Sequence, residues 1–235
     1  MNSFLSGKYS YPHLWLWIVV LVMVFHGGAA SEPGSRRLEF YDDFENGLSA
    51  HWQVVKFKGQ TKYRVVREGS NQVLEAVADR SASGIAIRKS IPVRPGTRLE
   101  WRWKIEGVPA NGSETAIETY DHAARLFVAF KSLLGPPRTI NYLWGNQAAA
   151  ASTGRHPTSG RSRFIVLQSG NDAAGKWIEE SRDLHADWKL LFHSDPPDEL
   201  QAIGLMTDSD GTGTVLRGWY DEVRIVCSDA AEKSR

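Results

Sequence analysis

Apolar and polar residues alternate with a period of two along most of this chain, and this alternation limits what the chain can fold into. Successive side chains of a β-strand point to opposite faces, so the pattern predicts strands with one buried and one solvated face. The clearest case is Arg98–Ile105, where Leu99, Trp101, Trp103 and Ile105 share one face and Glu100, Arg102 and Lys104 share the other. About ten or eleven such segments, separated by turns rich in Gly, Pro, Asn, Ser and Asp, predict an all-β fold. We expect a single antiparallel β-sandwich of the jelly-roll type.

Residues 1–30 have the pattern of an export signal. Lys8 is the only Lys, Arg, Asp or Glu in this stretch, an apolar run from Leu14 to Phe25 follows it, and Gly28-Ala29-Ala30 supplies small residues for cleavage. At a rise of about 1.5 Å per residue, this run is too short for the roughly 30 Å hydrocarbon core of a bilayer. We therefore expect a periplasmic or secreted protein with no stable membrane span after cleavage. An uncleaved N-terminal anchor is the open alternative.

The charge of the remaining chain argues against a nucleic-acid partner. The whole sequence has a formal net charge of +1, and Lys8 supplies it, so the chain after residue 30 is neutral. Proteins that bind nucleic acids carry a basic excess, which this chain lacks. Its length suits one sandwich domain, at residues 36–228, followed by a disordered tail at 229–235. The single cysteine, Cys227, cannot form an intrachain disulfide, so packing or a bound ion must stabilise the domain.

Acidic residues occur at both ends of the predicted domain. Asp42 and Asp43 lie in the opening motif FYDDF, and Asp221 precedes Glu222 in the closing motif WYDEVRI. If the first and last strands pair, these carboxylates approach one another, and a structural Ca²⁺ with 6–8 oxygen ligands would relieve their repulsion. The alternative is that they are solvated or paired with arginines.

A second acidic group lies in the glycine-rich segment Thr207–Gly213. Asp208 and Asp210 alternate as they do at the start of a calcium loop, but the ligands that an EF-hand needs further along are absent. Two interpretations stay open. These carboxylates either contact an ion or ligand, or accept backbone N–H groups in an Asx-type turn that joins two strands.

Asp121, His122 and Arg125 precede the apolar strand Leu126–Phe130. Arg125 could grip a substrate carboxylate through two hydrogen bonds, and His122 titrates near neutral pH and so could act as an acid or base. A structural Asp–Arg ion pair is the alternative. No second catalytic partner is fixed by spacing.

Seven tryptophans follow residue 30, and indole rings stack on sugar rings. Trp101 and Trp103 share a strand face with Leu99 and Ile105, so we expect both in the core. Trp144, Trp177 and Trp188 lie near loop edges, which makes these three the better candidates for exposed contact with a ligand.

Two further segments carry specific predictions. Pro196 and Pro197 follow a short predicted helical turn at Asp187–Phe192, with Asp187 as its N-cap. The segment Gln147–Arg163 has small and polar residues and no strand pattern, so we expect a mobile surface loop there.

Motifs of hydrolases and nucleotide-binding proteins are absent: the sequence has no G-x-S-x-G, no H-E-x-x-H and no phosphate loop. The best-supported function is a non-catalytic module that binds a carbohydrate or another envelope component. The alternative is a polysaccharide hydrolase or lyase that uses Asp121, His122, Arg125 and Asp208 in a groove.

The order of several motifs resembles an exported bacterial family catalogued as domain of unknown function 3047. These motifs are LEWRWKI, YDHAARLFVAF, INYLWG, RFIVLQSG, RDLHADWKLLF and LMTDSDGTGT…GWYDEVRI. The resemblance implies a jelly-roll-like sandwich and no established activity. This chain has Asp121-His122 where the family usually has two aspartates. The opening and closing motifs are also similar, more weakly, to those of carbohydrate-binding modules and laminin-G-like sandwiches.

Overall fold

A computed structural model describes residues 36–132 and 135–228 of the chain. The predicted signal at 1–30 and the predicted tail at 229–235 lie outside these residues. Within them, the strands are β1 Arg36–Asp42, β2 Gln53–Lys58, β3 Lys62–Glu68, β4 Asn71–Asp79, β5 Ala82–Pro92, β6 Arg98–Ile105, β7 Arg125–Phe130, β8 Arg138–Gly145, β9 Thr153–His156, β10 Ser159–Ser169, β11 Ile178–Asp183, β12 Glu199–Asp208 and β13 Val215–Ser228. A 3₁₀ turn at Ile117–Thr119 and helix α1, Leu184–Phe192, complete the secondary structure. No helix in the described ranges is long and apolar enough to span a membrane.

The strands form two sheets that pack as a sandwich, so the predicted fold class is confirmed. Sheet A has the order β11-β6-β13-β4-β3, with β1 also paired to β13, and sheet B has the order β2-β5-β12-β7-β8-β10-β9. Strands β1 and β13 pair antiparallel, with Leu38 opposite Val226 and Asp42 opposite Val223. The two ends of the domain therefore meet, as the sequence predicts.

The alternation in β6 maps onto the core as predicted. Trp101 and Trp103 are buried, and their rings contact each other edge to face at 5.3 Å. Across the sandwich, Trp101 packs against Tyr142 at 5.4 Å and Trp103 against Trp144 at 5.8 Å. Since β6 belongs to sheet A and β8 to sheet B, these aromatic pairs hold the two layers together.

Sheet B is mixed, because β8 and β10 run parallel. The sequence predicts a loop at Gln147–Arg163, and that prediction is wrong. The segment contains β9 and the start of β10, which pair antiparallel with Gly154 opposite Phe164. A Cβ atom at residue 154 would come within 2.4 Å of the Phe164 ring, so only glycine lets the ring lie against the strand. Gly154 therefore allows close packing within a paired strand.

Helix α1 begins earlier than predicted, and its N-cap is Asp183 rather than Asp187. The Asp183 side chain accepts a hydrogen bond from the Ala186 backbone N–H at 2.9 Å. Asp187 is instead a buried residue of the first turn, paired with Arg182 and accepting a hydrogen bond from the Tyr142 hydroxyl at 2.8 Å.

Candidate functional site

The four residues that the sequence analysis placed in one groove converge at one end of sheet B; they are Asp121, His122, Arg125 and Asp208. Strands β7 and β12 are neighbours, with Met206 opposite Arg125, so Asp208 lies two residues beyond that register position. Nη2 of Arg125 donates to both carboxylate oxygens of Asp208, at 2.9 and 2.7 Å. The His122 backbone N–H donates to the same carboxylate at 3.2 Å. We name Tyr120, Asp121, His122, Arg125 and Asp208 the buried polar cluster.

The glycine-rich turn after β12 is held by a distant carboxylate. Asp121 accepts the backbone N–H groups of Gly211 and Thr212, at 3.3 and 2.5 Å. Asp208 instead accepts hydrogen bonds from Arg125 and from the His122 backbone, and Asp210 lies 3.5 Å from the Lys58 ammonium. The segment is therefore a turn whose backbone N–H groups are bound by a carboxylate, as the turn interpretation expects. That carboxylate belongs to Asp121 rather than to Asp208 or Asp210.

Asp121, Asp208 and Asp210 offer carboxylate oxygens within 4.8 Å of one another, which is close enough to share a cation. Most of the carboxylate oxygens that could bind a cation already have partners in the protein. Asp121 accepts two backbone N–H groups, and Arg125 neutralises Asp208. A Ca²⁺ ion needs 6–8 oxygen ligands, so these residues fit it poorly as they stand.

Burial shifts the protonation of the cluster. Desolvation raises the pKa of Asp208 to about 6, although the positive charge of Arg125 opposes this shift. Desolvation, reinforced by Arg125, lowers the pKa of His122 well below its usual value. Burial also raises the pKa of Tyr120 to about 12. The histidine is thus neutral and the tyrosine protonated at neutral pH.

Several polar atoms around the cluster have no well-formed hydrogen bond within the described chain. They are both ring nitrogens of His122, Nε of Arg125, the Tyr120 hydroxyl, Oδ1 of Asn146 and the Ser209 hydroxyl. The Tyr120 ring covers this region, since it contacts His122 at 4.7 Å and His156 at 4.5 Å and lies 5.1 Å from the Arg125 guanidinium. Asp121, His122, Arg125 and Asp208 are each at most 5% exposed. A polymer cannot contact side chains that are buried to this extent.

The calcium site predicted at the chain ends is not supported by the positions of its residues. Asp42 accepts hydrogen bonds from the Trp52 indole at 2.8 Å and from the Phe44 backbone at 2.9 Å. Asp43 accepts the Glu45 backbone N–H at 3.2 Å, and Asp221 is paired with Arg102. Asp42, Asp43 and Asp221 do not form one of the close groups of metal-capable side chains in the described chain. The strands meet, but their carboxylates each have a separate partner.

Two of the three tryptophans predicted to contact a ligand are buried. Trp144 is fully buried in the core, where its indole N–H donates to the Gly170 carbonyl at 3.0 Å. Trp188 lies in α1 rather than at a loop edge, is 2% exposed, and donates to the Ser194 hydroxyl at 3.2 Å. The exposure expected for these two rings is therefore wrong, because proximity to a predicted strand end does not reveal which neighbouring element covers the ring.

Trp177 is partly exposed, and it has a partner that the sequence analysis missed. Trp219 lies opposite Lys104 across β13 and β6, on the face of sheet A that points away from the core. The Lys104 ammonium lies 5.1 Å from the Trp177 ring centre and 4.6 Å from that of Trp219. The Arg102 guanidinium lies 4.9 Å from the Trp177 ring. We name Trp177, Trp219, Lys104, Arg102 and Glu68 the tryptophan face.

Hydrogen bonds fix the geometry of the tryptophan face. Glu68 pairs with Lys104 and accepts the Trp177 indole N–H at 3.2 Å. Burial alone would raise the pKa of Glu68, but the hydrogen bonds from Lys104 and Trp177 and the nearby positive charges lower it overall. Glu68 is thus a carboxylate at neutral pH that orients both a cation and an indole.

Comparisons with other proteins give a family and several solved structures with similar folds. No curated protein matches the chain. Cip1, a cellulose-induced protein, is 13% identical with a TM-score of 0.46, over 80% of this chain and 96% of its own. TmCBM61, solved with β-1,4-galactotriose, is 9% identical with a TM-score of 0.37, over 78% and 92%. The CBM22 tandem domain of Xyn10C from Paenibacillus barcinonensis is 14% identical with a TM-score of 0.44, over 87% and 50%.

The family comparison covers most of the sandwich. The family described as protein of unknown function (DUF3047) matches residues 50–224, from the segment before β2 into β13. The chain therefore belongs to this family, as its motifs indicate.

Proposed function

We propose that the protein binds a carbohydrate on the tryptophan face and performs no chemistry on it. One observation carries this proposal. Of the seven tryptophans in the described ranges, five are buried, and the two that keep partial exposure, Trp177 and Trp219, lie against the same lysine on one sheet face. A chain that needed these indoles only for packing would have no reason to place both at the solvent side of the same sheet.

The composition of this face suits sugars. The indole surface packs on the C–H face of a pyranose ring, while charged side chains hydrogen-bond to hydroxyl groups. Arg102 and Lys104 are donors, and Glu68 is an acceptor. Both cations are held by carboxylates, so the face is ordered before a ligand arrives, which lowers the entropic cost of binding.

The spacing favours an extended ligand. Trp177 precedes β11 and Trp219 lies in β13, with β6 between them. Neighbouring strands are about 4.8 Å apart, so positions two strands apart are separated by roughly 9.6 Å. This separation suits two units of an oligosaccharide better than a single sugar ring.

The catalytic alternative has weaker support. Asp121, His122, Arg125 and Asp208 lie together, as a hydrolase or lyase would require, but they are buried beneath Tyr120. A carboxylate and histidine that hydrolyse a polymer must contact the bond that breaks. We therefore assign the buried polar cluster to the stability of the fold.

A binding experiment with matched variants tests the proposal. The purified protein is titrated with soluble galactan, xylan, mannan and β-glucan oligosaccharides while tryptophan fluorescence is recorded. We expect at least one glycan to change the signal, and Trp177→Ala or Trp219→Ala to weaken that binding by roughly 30-fold, as for a central tryptophan of an interface. Phe57→Ala, which removes a 68% exposed aromatic ring from β2 of sheet B, is the control. No response to any of the glycans, or equal losses in all three variants, would contradict the proposal.

A further inference from the structure

Three arginines lie side by side on neighbouring strands of sheet B. Arg163 of β10 is directly opposite Arg155 of β9, and Arg138 begins β8, which pairs with β10 on its other side. Arg138 and Arg155 are exposed and Arg163 is partly exposed. Like charges directly opposite one another on a sheet destabilise it, so this arrangement needs a compensating group.

The end of α1 packs against these arginines and completes a pocket. The guanidinium groups of Arg138 and Arg163 lie 5.5 and 5.2 Å from the centre of the Phe192 ring. His193, which ends the helix in a left-handed conformation with φ 53°, lines the same space. The pocket has a volume of about 330 Å³. We name Arg138, Arg155, Arg163 and His193 the arginine pocket.

None of these arginines forms an ion pair with a carboxylate of the described chain. Arg163 donates only to backbone carbonyls, those of Gly160 at 2.8 Å and Ser162 at 3.2 Å. Burial lowers the pKa of the Arg163 guanidinium, and the charges of Arg155 and Arg138 lower it further. The pocket therefore gathers three positive charges, and among the residues that the structure describes most of its guanidinium N–H groups have no acceptor.

We propose that the arginine pocket binds a phosphate or sulfate group. A guanidinium presents paired N–H donors that match two oxygens of such an anion, and aromatic packing against Phe192 holds two of the three guanidinium groups in place. The anion would supply the negative charge that the surrounding carboxylates do not. This site belongs to sheet B and α1, so it is separate from the tryptophan face of sheet A and does not depend on the function proposed there.

The test compares anions at equal ionic strength in the intact protein. Because a ligand that binds only the folded state stabilises it by mass action, sodium phosphate or sodium sulfate should raise the melting temperature more than sodium chloride does. Arg163→Gln and Arg155→Gln should each weaken anion binding at least about tenfold, since each removes charge-assisted hydrogen bonds. Arg80→Gln, at an exposed arginine beside Asp79 and outside the pocket, should keep the wild-type response.

A second prediction separates an anion site from an ordinary cationic surface. In dilute chloride, Arg155→Gln relieves repulsion with Arg163 and should melt at a higher temperature than the wild type, whereas saturating sulfate should reverse this order. Dextran sulfate compared with neutral dextran distinguishes an anion carried by a polymer from a free ion. An equal response to chloride and sulfate, or a full sulfate response in both pocket variants, would overturn the proposal. Because Arg155 is exposed, the Arg155→Gln result stands even if Arg163→Gln fails to fold.

Discussion

Arg125 and Asp208 form a buried ion pair in which one guanidinium nitrogen donates to both carboxylate oxygens. The side chains of Arg125 and Asp208 are 6% and 5% exposed. The desolvation of both charges offsets much of their attraction, so the pair itself adds little net stability. Removing only one partner leaves the other charge buried without compensation.

We therefore predict that Asp208→Leu and Arg125→Met each lower the free energy of unfolding by about 3–5 kcal/mol. The double variant should lose much less than the sum of the two single variants, because it removes both charges. Urea denaturation of the four proteins measures this coupling. Losses that simply add would show that the two residues act independently.

Asp183 and Asp187 have different roles at the start of α1. Asp183 caps the helix, whereas Asp187 is buried and paired with Arg182. Asp183→Ala removes the N-cap hydrogen bond and should cost about 1 kcal/mol. Asp187→Ala removes the partner of Arg182 and the acceptor of the Tyr142 hydroxyl, both largely shielded from water, and should cost about 3 kcal/mol or more. Denaturant unfolding of both variants ranks the two costs. The reverse order would mean that Asp187 is the effective cap, as the sequence pattern alone suggests.

The fold could be predicted from the sequence because strand periodicity maps directly onto side-chain direction. Once Leu99, Trp101, Trp103 and Ile105 alternate with charges, any sandwich must bury them. The sequence also allowed Arg125 and Asp208 to be proposed as neighbours, since both lie at strand ends in motifs rich in charge. What brings them together, however, is the pairing of β7 with β12, which no local pattern encodes.

Exposure of individual tryptophans could not be predicted in the same way. In β13 the alternation places Trp219 and Tyr220 on opposite faces, but only the position of that strand between β6 and β4 decides which face is the core. Trp188 is buried because α1 packs it against Phe130, with ring centres 4.6 Å apart. These outcomes depend on contacts between segments far apart in sequence, as does the row of arginines on β8, β10 and β9.

Gly204 allows the Phe127 ring to lie directly against the outer side of sheet B. A Cβ atom at this position would come within 2.1 Å of the Phe127 ring, and this ring also lies 3.6 Å from the Cβ position of Gly84. We predict that Gly204→Ala displaces the ring and lowers the free energy of unfolding by about 1–3 kcal/mol. Gly160→Ala is the matched control, because no atom lies within 4 Å of its Cβ position. Thermal denaturation compares the two; similar melting temperatures would mean that Phe127 moves aside without strain.

The protonation of His122 should make stability depend on pH. Burial, and then the charge of Arg125, lower the pKa of His122 well below its usual value, so the folded protein holds the ring neutral. An unfolded chain takes up a proton as the pH falls through about 6.5, and the folded state therefore loses about 1.4 kcal/mol of stability for each further pH unit. His156, with a pKa lowered to about 4 by burial, acts in the same direction. Asp208 acts in the opposite direction, because its pKa is raised to about 6 by burial.

His122→Leu isolates the contribution of this ring. Neither ring nitrogen of His122 has a well-formed hydrogen bond, so an apolar side chain avoids the cost of burying them, and stability at pH 7.5 should stay level or rise. Between pH 6.5 and 5 the variant should lose less stability than the wild type. Urea denaturation at several pH values measures both slopes. If His122→Leu keeps the full wild-type pH dependence, the ring takes up its proton in the folded protein as it does in the unfolded chain. In acid the buried polar cluster then holds two cations rather than one.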